Sequence, residues 1–282
     1  LTLWNVYSFF ATYAAVDKFS PLEVNIKDSH LTLLDQWILA KSNLLVKEAV
    51  NAFDSYRVDK FIQKFERFLD DLSNWYIRRN RRRFWKSEND IDKEAAYHTL
   101  YHVLLTSVKI IAPILPFMSE KIYQNLVCNI DKNLPESVHL CEYPEIDDQK
   151  IDQKMIDQVD AIRKMVELGR SARNKAELKI RQPLQELCFH LSDNSIKEFV
   201  IENQNIILEE LNVKNIKYVD STDKLIGYII KPNLPFIGQD YGKELPKIKD
   251  AISKMDSDKI VSDINQDGEV AIHLESKTIN LK

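Results

Sequence analysis

The stretch Phe61-Ile-Gln-Lys-Phe-Glu-Arg-Phe-Leu-Asp-Asp-Leu-Ser-Asn-Trp-Tyr-Ile-Arg-Arg-Asn-Arg-Arg-Arg-Phe-Trp-Lys86 decides the fold. Phe61, Phe65, Phe68, Leu72 and Trp75 recur at i, i+4, i+7, i+11 and i+14, the spacing of one helix face. Asp54-Ser55 ahead of it are good N-cap types, so a helix is expected from there to about Trp85. The same stretch ends in six basic residues within nine positions: Arg78, Arg79, Arg81, Arg82, Arg83 and Lys86. On a wheel of about 100° per residue from Phe61, Arg79 falls on the apolar stripe and Arg83 within about 40° of it. Arg78 and Arg81 lie well off it, so the cations surround the axis. Burying Arg79 and Arg83 unpaired is prohibitively costly. Either the helix end protrudes beyond the core, or these arginines meet acids such as Asp70, Asp71 or Glu66.

Outward from this helix the periodicity predicts more of the same. Residues 3–16 form a short apolar helix closed by Asp17 to Pro21, and Leu31 to Phe53 form a longer one through Leu34, Trp37, Ile38, Leu45, Ala49 and Phe53. Lys93 to Ala112 form another, ended by Pro113, and Pro116 starts a fifth that runs from Phe117 to Cys128. Five amphipathic helices with short joins make a bundle over residues 1–130. Residues 131–178 are read as a connector and a long helix, Lys150 to Lys175. Past Pro183 the texture changes. Short β-prone runs at Leu187–Leu191, Ile216–Val219, Leu225–Ile230, Val270–Leu274 and Thr278–Leu281 alternate with helices near Ser195–Leu211, Tyr241–Lys254 and Asp258–Gln266. The expected fold is mainly α, with residues 179–282 as a small α+β domain.

Composition removes whole classes of function. Of 282 residues 44% are hydrophobic and 29% charged, a globular profile. The five glycines are scattered and make neither GxGxxG nor GxxxxGK[ST], which excludes a glycine-loop nucleotide site in this stretch. Cys128, Cys141 and Cys188 are too few and too far apart for a disulfide framework or a four-thiolate zinc site. No run reaches the ~18 apolar residues of a membrane span, and the chain is expected to be soluble, reduced and cytoplasmic. It begins at Leu1 directly in helical sequence and reads as a piece of something longer. The net charge of −4 argues against a polyanion partner, but its distribution does not: residues 1–130 hold 17 Lys/Arg against 15 Asp/Glu, leaving −6 for residues 131–282.

The basic cluster is flanked by Trp75, Tyr76, Phe84 and Trp85. Arginine forks bind phosphates and aromatic rings stack splayed bases at about 1–3 kcal/mol each, so a protruding end of this kind suits single-stranded RNA. The alternative is a salt-bridged bundle end with its aromatics in the core. Lys179 and Arg181, ahead of the helix-breaking Pro183, form a second basic spot near Arg170, Arg173 and Lys175. His98 and His102 stand at i, i+4 without a glutamate between them or an obvious third ligand, and read as ordinary histidines.

Several segments together resemble one family. Leu1-Thr-Leu-Trp-Asn-Val-Tyr-Ser-Phe-Phe10, Asn74 to Trp85, Ala112-Pro-Ile-Leu-Pro-Phe117 and Ser137-Val-His-Leu140 with Tyr143-Pro144 are similar to the anticodon-binding helical bundle of class I isoleucyl-tRNA synthetases. Lys179-Ile-Arg-Gln-Pro-Leu184, and Lys231-Pro-Asn-Leu-Pro-Phe-Ile-Gly238 through Tyr241-Gly-Lys243, are similar to the region that follows. Valyl and leucyl relatives share the bundle; the Asn74–Trp85 and Lys179–Leu184 strings point to the isoleucyl member. Lys254-Met-Asp-Ser-Asp258 mimics the family's KMSKS signature but lacks its second lysine and lies downstream of the bundle.

The resemblance implies a chain that recognises the anticodon stem-loop of tRNA-Ile, with the ATP- and Mg²⁺-using catalytic domain and the editing domain lying outside it. No cofactor, catalytic residue or membrane contact is expected of this part. Its RNA-binding residues are expected among Trp75, Tyr76, Arg78, Arg79, Arg81, Arg82, Arg83, Phe84, Trp85, Lys86, Lys179 and Arg181. A protein-interaction bundle without nucleic-acid binding, or the matching part of a valyl or leucyl enzyme, remain the alternatives.

Overall fold

In a computed structural model, residues 1–22, 26–86, 90–191, 193–219, 230, 232–274 and 277–281 are described. The chain divides into two compact units, Leu1–Lys164 and Met165–Lys282. The fold is mainly α.

In the first unit α1 (Thr2–Asp17), α2 (Leu33–Asp54), α3 (Val58–Asp70), α4 (Arg78–Trp85), α5 (Ile91–Ile111) and α6 (Pro116–Tyr123) form the bundle. Three of these starts have a local cause. Thr32 and Asp35 close a reciprocal capping box on α2, Asp90 caps α5 by accepting from the Lys93 N–H at 2.8 Å, and Pro116 opens α6. The core holds Trp37, Ile38, Phe61, Leu72, Tyr76, Leu100 and Leu104, all fully buried, each worth about 1.5–3 kcal/mol for an aliphatic or phenyl side chain. The expected connector contains two short 3₁₀ turns, Val138–Leu140 and Asp148–Lys150.

The decisive helix departs from its wheel. Between α3 and α4 the seven residues Asp71–Ile77 are π-helical, so Val58 to Trp85 is one continuous run with a widened turn in its middle. A π turn takes up an extra residue and rotates everything beyond it. The buried face therefore continues from Leu72 through Tyr76, Asn80 and Phe84, and the position that the wheel assigns to Arg79 is taken by Asn80. Asp71 begins that turn and is buried, with Lys41 Nζ and an Arg163 guanidinium nitrogen both 2.5 Å from its carboxylate.

The second unit contains the end of α7 (Gln153–Lys175), then β1 (Leu184–Phe189), α8 (Asn194–Glu202), α9 (Gln204–Leu211) and β2 (Val213–Tyr218). β1 and β2 pair in parallel, Leu184 opposite Val213 and Phe189 opposite Tyr218. Both strands start three residues earlier than expected. The helix expected over Ser195–Leu211 is broken at Asn203 (φ −108°, ψ 18°). Gly169 on α7 faces α9 so closely that a Cβ would collide with Leu211. A second cluster, α10 (Leu234–Tyr241), α11 (Leu245–Lys254), α12 (Ser257–Asp267) and the antiparallel hairpin β3 (Val270–Leu274) and β4 (Lys277–Leu281), packs around Ile248, Ile260, Ile272 and Ile279. α10 is not expected from the sequence pattern; its second residue is Pro235, a position that a first helical turn tolerates. The run Leu225–Ile230 falls, except for Ile230, outside the described residues.

Candidate nucleic-acid interface

The arginine-rich end of the helix is not uniformly available. Arg83 points inward: its Nη1 donates to Asp35 Oδ1 at 2.9 Å, its Nη2 to the Asp92 carbonyl at 2.8 Å, and its Nε lies 2.8 Å from Asp92 Oδ1. Asp35 is completely buried and also accepts from the Tyr76 hydroxyl at 2.6 Å and the Thr32 N–H at 2.9 Å. Burial alone would lower the Arg83 pKa, but hydrogen bonding and charge from Asp35, with help from Asp92, leave it raised. Burial, then the Asp35 charge, hold Tyr76 well above the usual phenol range, so it remains a donor at any working pH. Asp35 and Asp92 therefore supply the charge that Arg83 needs, not the Asp70, Asp71 or Glu66 expected from sequence.

Lys86 is neutralised too, 2.7 Å from Asp90 and 2.8 Å from Asp92. Its burial opposes the charge, and the two carboxylates outweigh it and raise its pKa. Beside it Lys93, almost fully buried, reaches Asp17 at 2.7 Å. Two of the expected stacking rings are core residues: Tyr76 is 0% and Phe84 1% exposed, so neither can meet a base without unfolding. Trp75 is nearly buried, covered by the guanidinium groups of Arg78, Arg79 and Arg163, 5.7–5.8 Å from its ring.

What remains outside is narrower and better ordered. Arg78, Arg81, Arg82 and Trp85 are exposed, and Arg79 is half-buried. Arg78 Nε donates to the Asn74 carbonyl at 2.8 Å, which holds it along the helix. The Arg81 guanidinium lies 5.8 Å from the Trp85 ring, and neither Arg81 nor Arg82 has an ion pair among the described residues. Trp85 borders a cleft of about 480 Å³ that also includes Tyr13, Phe84, Lys86 and Lys93. Tyr13, 6.4 Å from the Trp85 ring, comes from α1 and was missed by sequence reasoning. Its only signal was a polar-tipped aromatic near the end of an apolar helix. The exposed face thus offers guanidinium groups beside an aromatic cleft, the components that hold phosphates and splayed bases.

Lys179 and Arg181 are exposed in the second unit, on the turn between α7 and β1. His98 and His102 line a cleft of about 890 Å³ in the first unit, and among the described residues no group of His, Cys, Asp and Glu could hold a metal ion. The cysteines are free. Among the described residues no helix is long and apolar enough to cross a membrane.

The bundle turns a guanidinium-and-tryptophan edge outward, and comparison with known proteins defines its class. Residues 35–188 match the anticodon-binding domain of tRNA ligases, and the chain belongs to that family. Among individual proteins it is similar to the isoleucine–tRNA ligase of Clostridium novyi, 46% identical over 274 residues. It is also similar to those of Dehalococcoides mccartyi, 45% over 214 residues, and Thermus thermophilus, 39% over 259. These alignments cover 97%, 76% and 90% of the chain, but 26%, 21% and 24% of the three relatives. The chain spans about a quarter of their length.

Proposed function

We propose that this chain holds the anticodon stem-loop of tRNA-Ile as part of a cytoplasmic isoleucine–tRNA ligase. The observation that carries this is the exposed edge of α4, within a chain of the anticodon-binding family: Arg81 lies against Trp85, which borders the Tyr13 cleft, and Arg78 and Arg82 are exposed on the same helix. In this role the arginines hold backbone phosphates while Trp85 and Tyr13 stack unstacked bases. Lys179 and Arg181 add a second cationic contact. Arg83, Lys86, Tyr76 and Phe84 act from within, fixing the helix that carries the edge. ATP and Mg²⁺ would serve the catalytic domain of the whole ligase, and none of the interface residues is assigned to them.

Filter binding of purified tRNAs at two salt concentrations tests this. The chain is expected to retain tRNA-Ile more tightly than tRNA-Val or tRNA-Leu. Affinity should fall with salt at a log–log slope of about −0.7 for each single-strand phosphate contact. Equal retention of all three tRNAs would remove the isoleucine assignment. No retention of any of them at low salt would remove RNA binding altogether.

A further inference from the structure

The turn that carries Lys179 and Arg181 is held by two residues with no place in the interface described so far. Arg173, in the last turn of α7, is only 5% exposed. Its Nη1 donates to the Lys179 carbonyl at 2.9 Å, and its Nη2 to the carbonyls of Gln182 at 2.8 Å and Asn212 at 3.2 Å. Asn212, between α9 and β2, has a left-handed backbone (φ 48°) and sends its Nδ2 to the carbonyls of Ile180 at 3.1 Å and Arg181 at 3.0 Å. Four consecutive carbonyls, from Lys179 to Gln182, are therefore bound from the inside.

This has a geometric consequence. In a planar trans peptide the N–H points away from the carbonyl of the same unit. The N–H groups of Ile180 and Arg181 therefore point away from the bound carbonyls of Lys179 and Ile180, and neither has a partner among the described residues. The Gln182 N–H closes the turn on the Lys179 carbonyl at 3.0 Å. Outward the turn presents two free amides between two exposed cations. Beneath it lies a guanidinium that no carboxylate neutralises among the described residues. Successive outward amides beside positive charge form an anion seat.

We infer that Arg173 and Asn212 are positioning residues that preform the Lys179–Gln182 turn as a seat for an RNA backbone phosphate. The inference rests on the tRNA reading above and adds the device that makes its second contact. Gly169, one turn before Arg173, lets α9 come close enough for Asn212 to reach the turn.

The test uses the 282-residue chain and an anticodon stem-loop RNA. Asn212→Gly suits it because glycine keeps the left-handed backbone and deletes both side-chain donors. N212G is expected to keep its far-UV spectrum and thermal midpoint, to bind about three- to tenfold more weakly, and to flatten the salt slope by about 0.7. The double variant Lys179→Ala/Arg181→Ala should weaken binding by at least as much, and adding N212G to it should change little, because Asn212 acts through that turn. Unchanged binding by N212G while K179A/R181A binds more weakly overturns the positioning role, as do effects that simply add. If K179A/R181A binds normally while Arg81→Ala/Arg82→Ala does not, the turn is no RNA contact; if both bind normally, the tRNA reading itself fails.

Amide hydrogen exchange of Ile180 and Arg181 in the unsubstituted chain gives a readout that needs no variant. Protection on adding RNA is expected, and unchanged exchange overturns the seat. Inorganic phosphate that shifts these amides where RNA does not would assign the seat to free phosphate instead and overturn the RNA assignment.

Discussion

Two arginines are drawn into the molecule, and the two units solve the problem in opposite ways. Arg83, in the first unit, meets the carboxylates of Asp35 and Asp92. Arg173, in the second, meets only backbone carbonyls among the described residues. The first arrangement cancels a charge so that the helix end can sit against the core. The second leaves the charge in place and uses it to turn a loop. Counting cations in a sequence cannot tell these fates apart, and they have different consequences. Removing a carboxylate at Arg83 strands a buried charge, whereas removing a donor at Arg173 releases a surface turn.

The contrast is most exposed at Asp35. Asp35→Ala leaves Arg83 and Tyr76 without their shared acceptor and removes one half of the capping box of α2, the acceptor of the Thr32 N–H. Loss of one partner of a buried pair costs about 3–5 kcal/mol. Urea unfolding followed by tryptophan emission reads this directly, because Trp4, Trp37, Trp75 and Trp85 all lie in the first unit. A loss below about 1 kcal/mol would show that Arg83 finds other partners and that the pairing is incidental. Asn212→Gly should leave the same tryptophan signal untouched.

Next in size is the separation of roles along α4. Arg81→Ala/Arg82→Ala removes two exposed cations and should leave stability within about 0.5 kcal/mol. Stem-loop affinity should drop about tenfold, with a salt slope flatter by about 1.4. Arg83→Ala should do the reverse at the level of cause, lowering stability first and binding only through the loosened helix. The division between structural and contacting arginines breaks if R83A is as stable as the parent and binds more weakly with a flatter slope.

Much of this was legible in the sequence, and what was not has identifiable reasons. The stripe from Phe61 to Leu72, the helix boundaries at Pro113 and Pro116, and the position of the cationic end all follow from period and punctuation. The π turn does not, because nothing in a wheel of fixed pitch admits an extra residue; that single residue replaced Arg79 by Asn80 on the buried face. Asp35 lies near the start of the helix expected from Leu31, and its carboxylate reaches a partner 48 positions away that no local pattern signals. Tyr13 joins Trp85 only through packing of α1 beside α4. In the second unit the basic spot at Lys179 and Arg181 lies on the turn between α7 and β1, but the clamp on that turn needs Arg173 and Asn212, which tertiary structure brings together. Local signals placed elements; partners separated in sequence required the fold.

The smallest expected effect separates the units by pH. The Arg173 clamp consists of an arginine, an amide and backbone carbonyls. The first unit holds His98 and His102 on α5, beside Lys150, Asp28 and Asp152 around the larger cleft. Burial, followed by the neighbouring His102 charge, lowers the His98 pKa; partial desolvation of the otherwise exposed His102 in the cleft, followed by Lys150, lowers that of His102. A histidine depressed in the folded state adds stability above its ordinary pKa near 6.5, and that stability is lost as pH falls through the folded value. Asp17 does not contribute in this window. Its burial favours the neutral form, but Lys93 and Tyr97 hold its pKa below the usual carboxylate value, so its contribution disappears only at more acid pH. The tryptophan-detected thermal midpoint should therefore fall between pH 7 and pH 5, and His98→Gln should make that fall shallower. A midpoint that holds steady over this range would mean that the two imidazoles accept protons as readily folded as unfolded, and the electrostatic difference drawn between the units would narrow to Arg83 and its carboxylates.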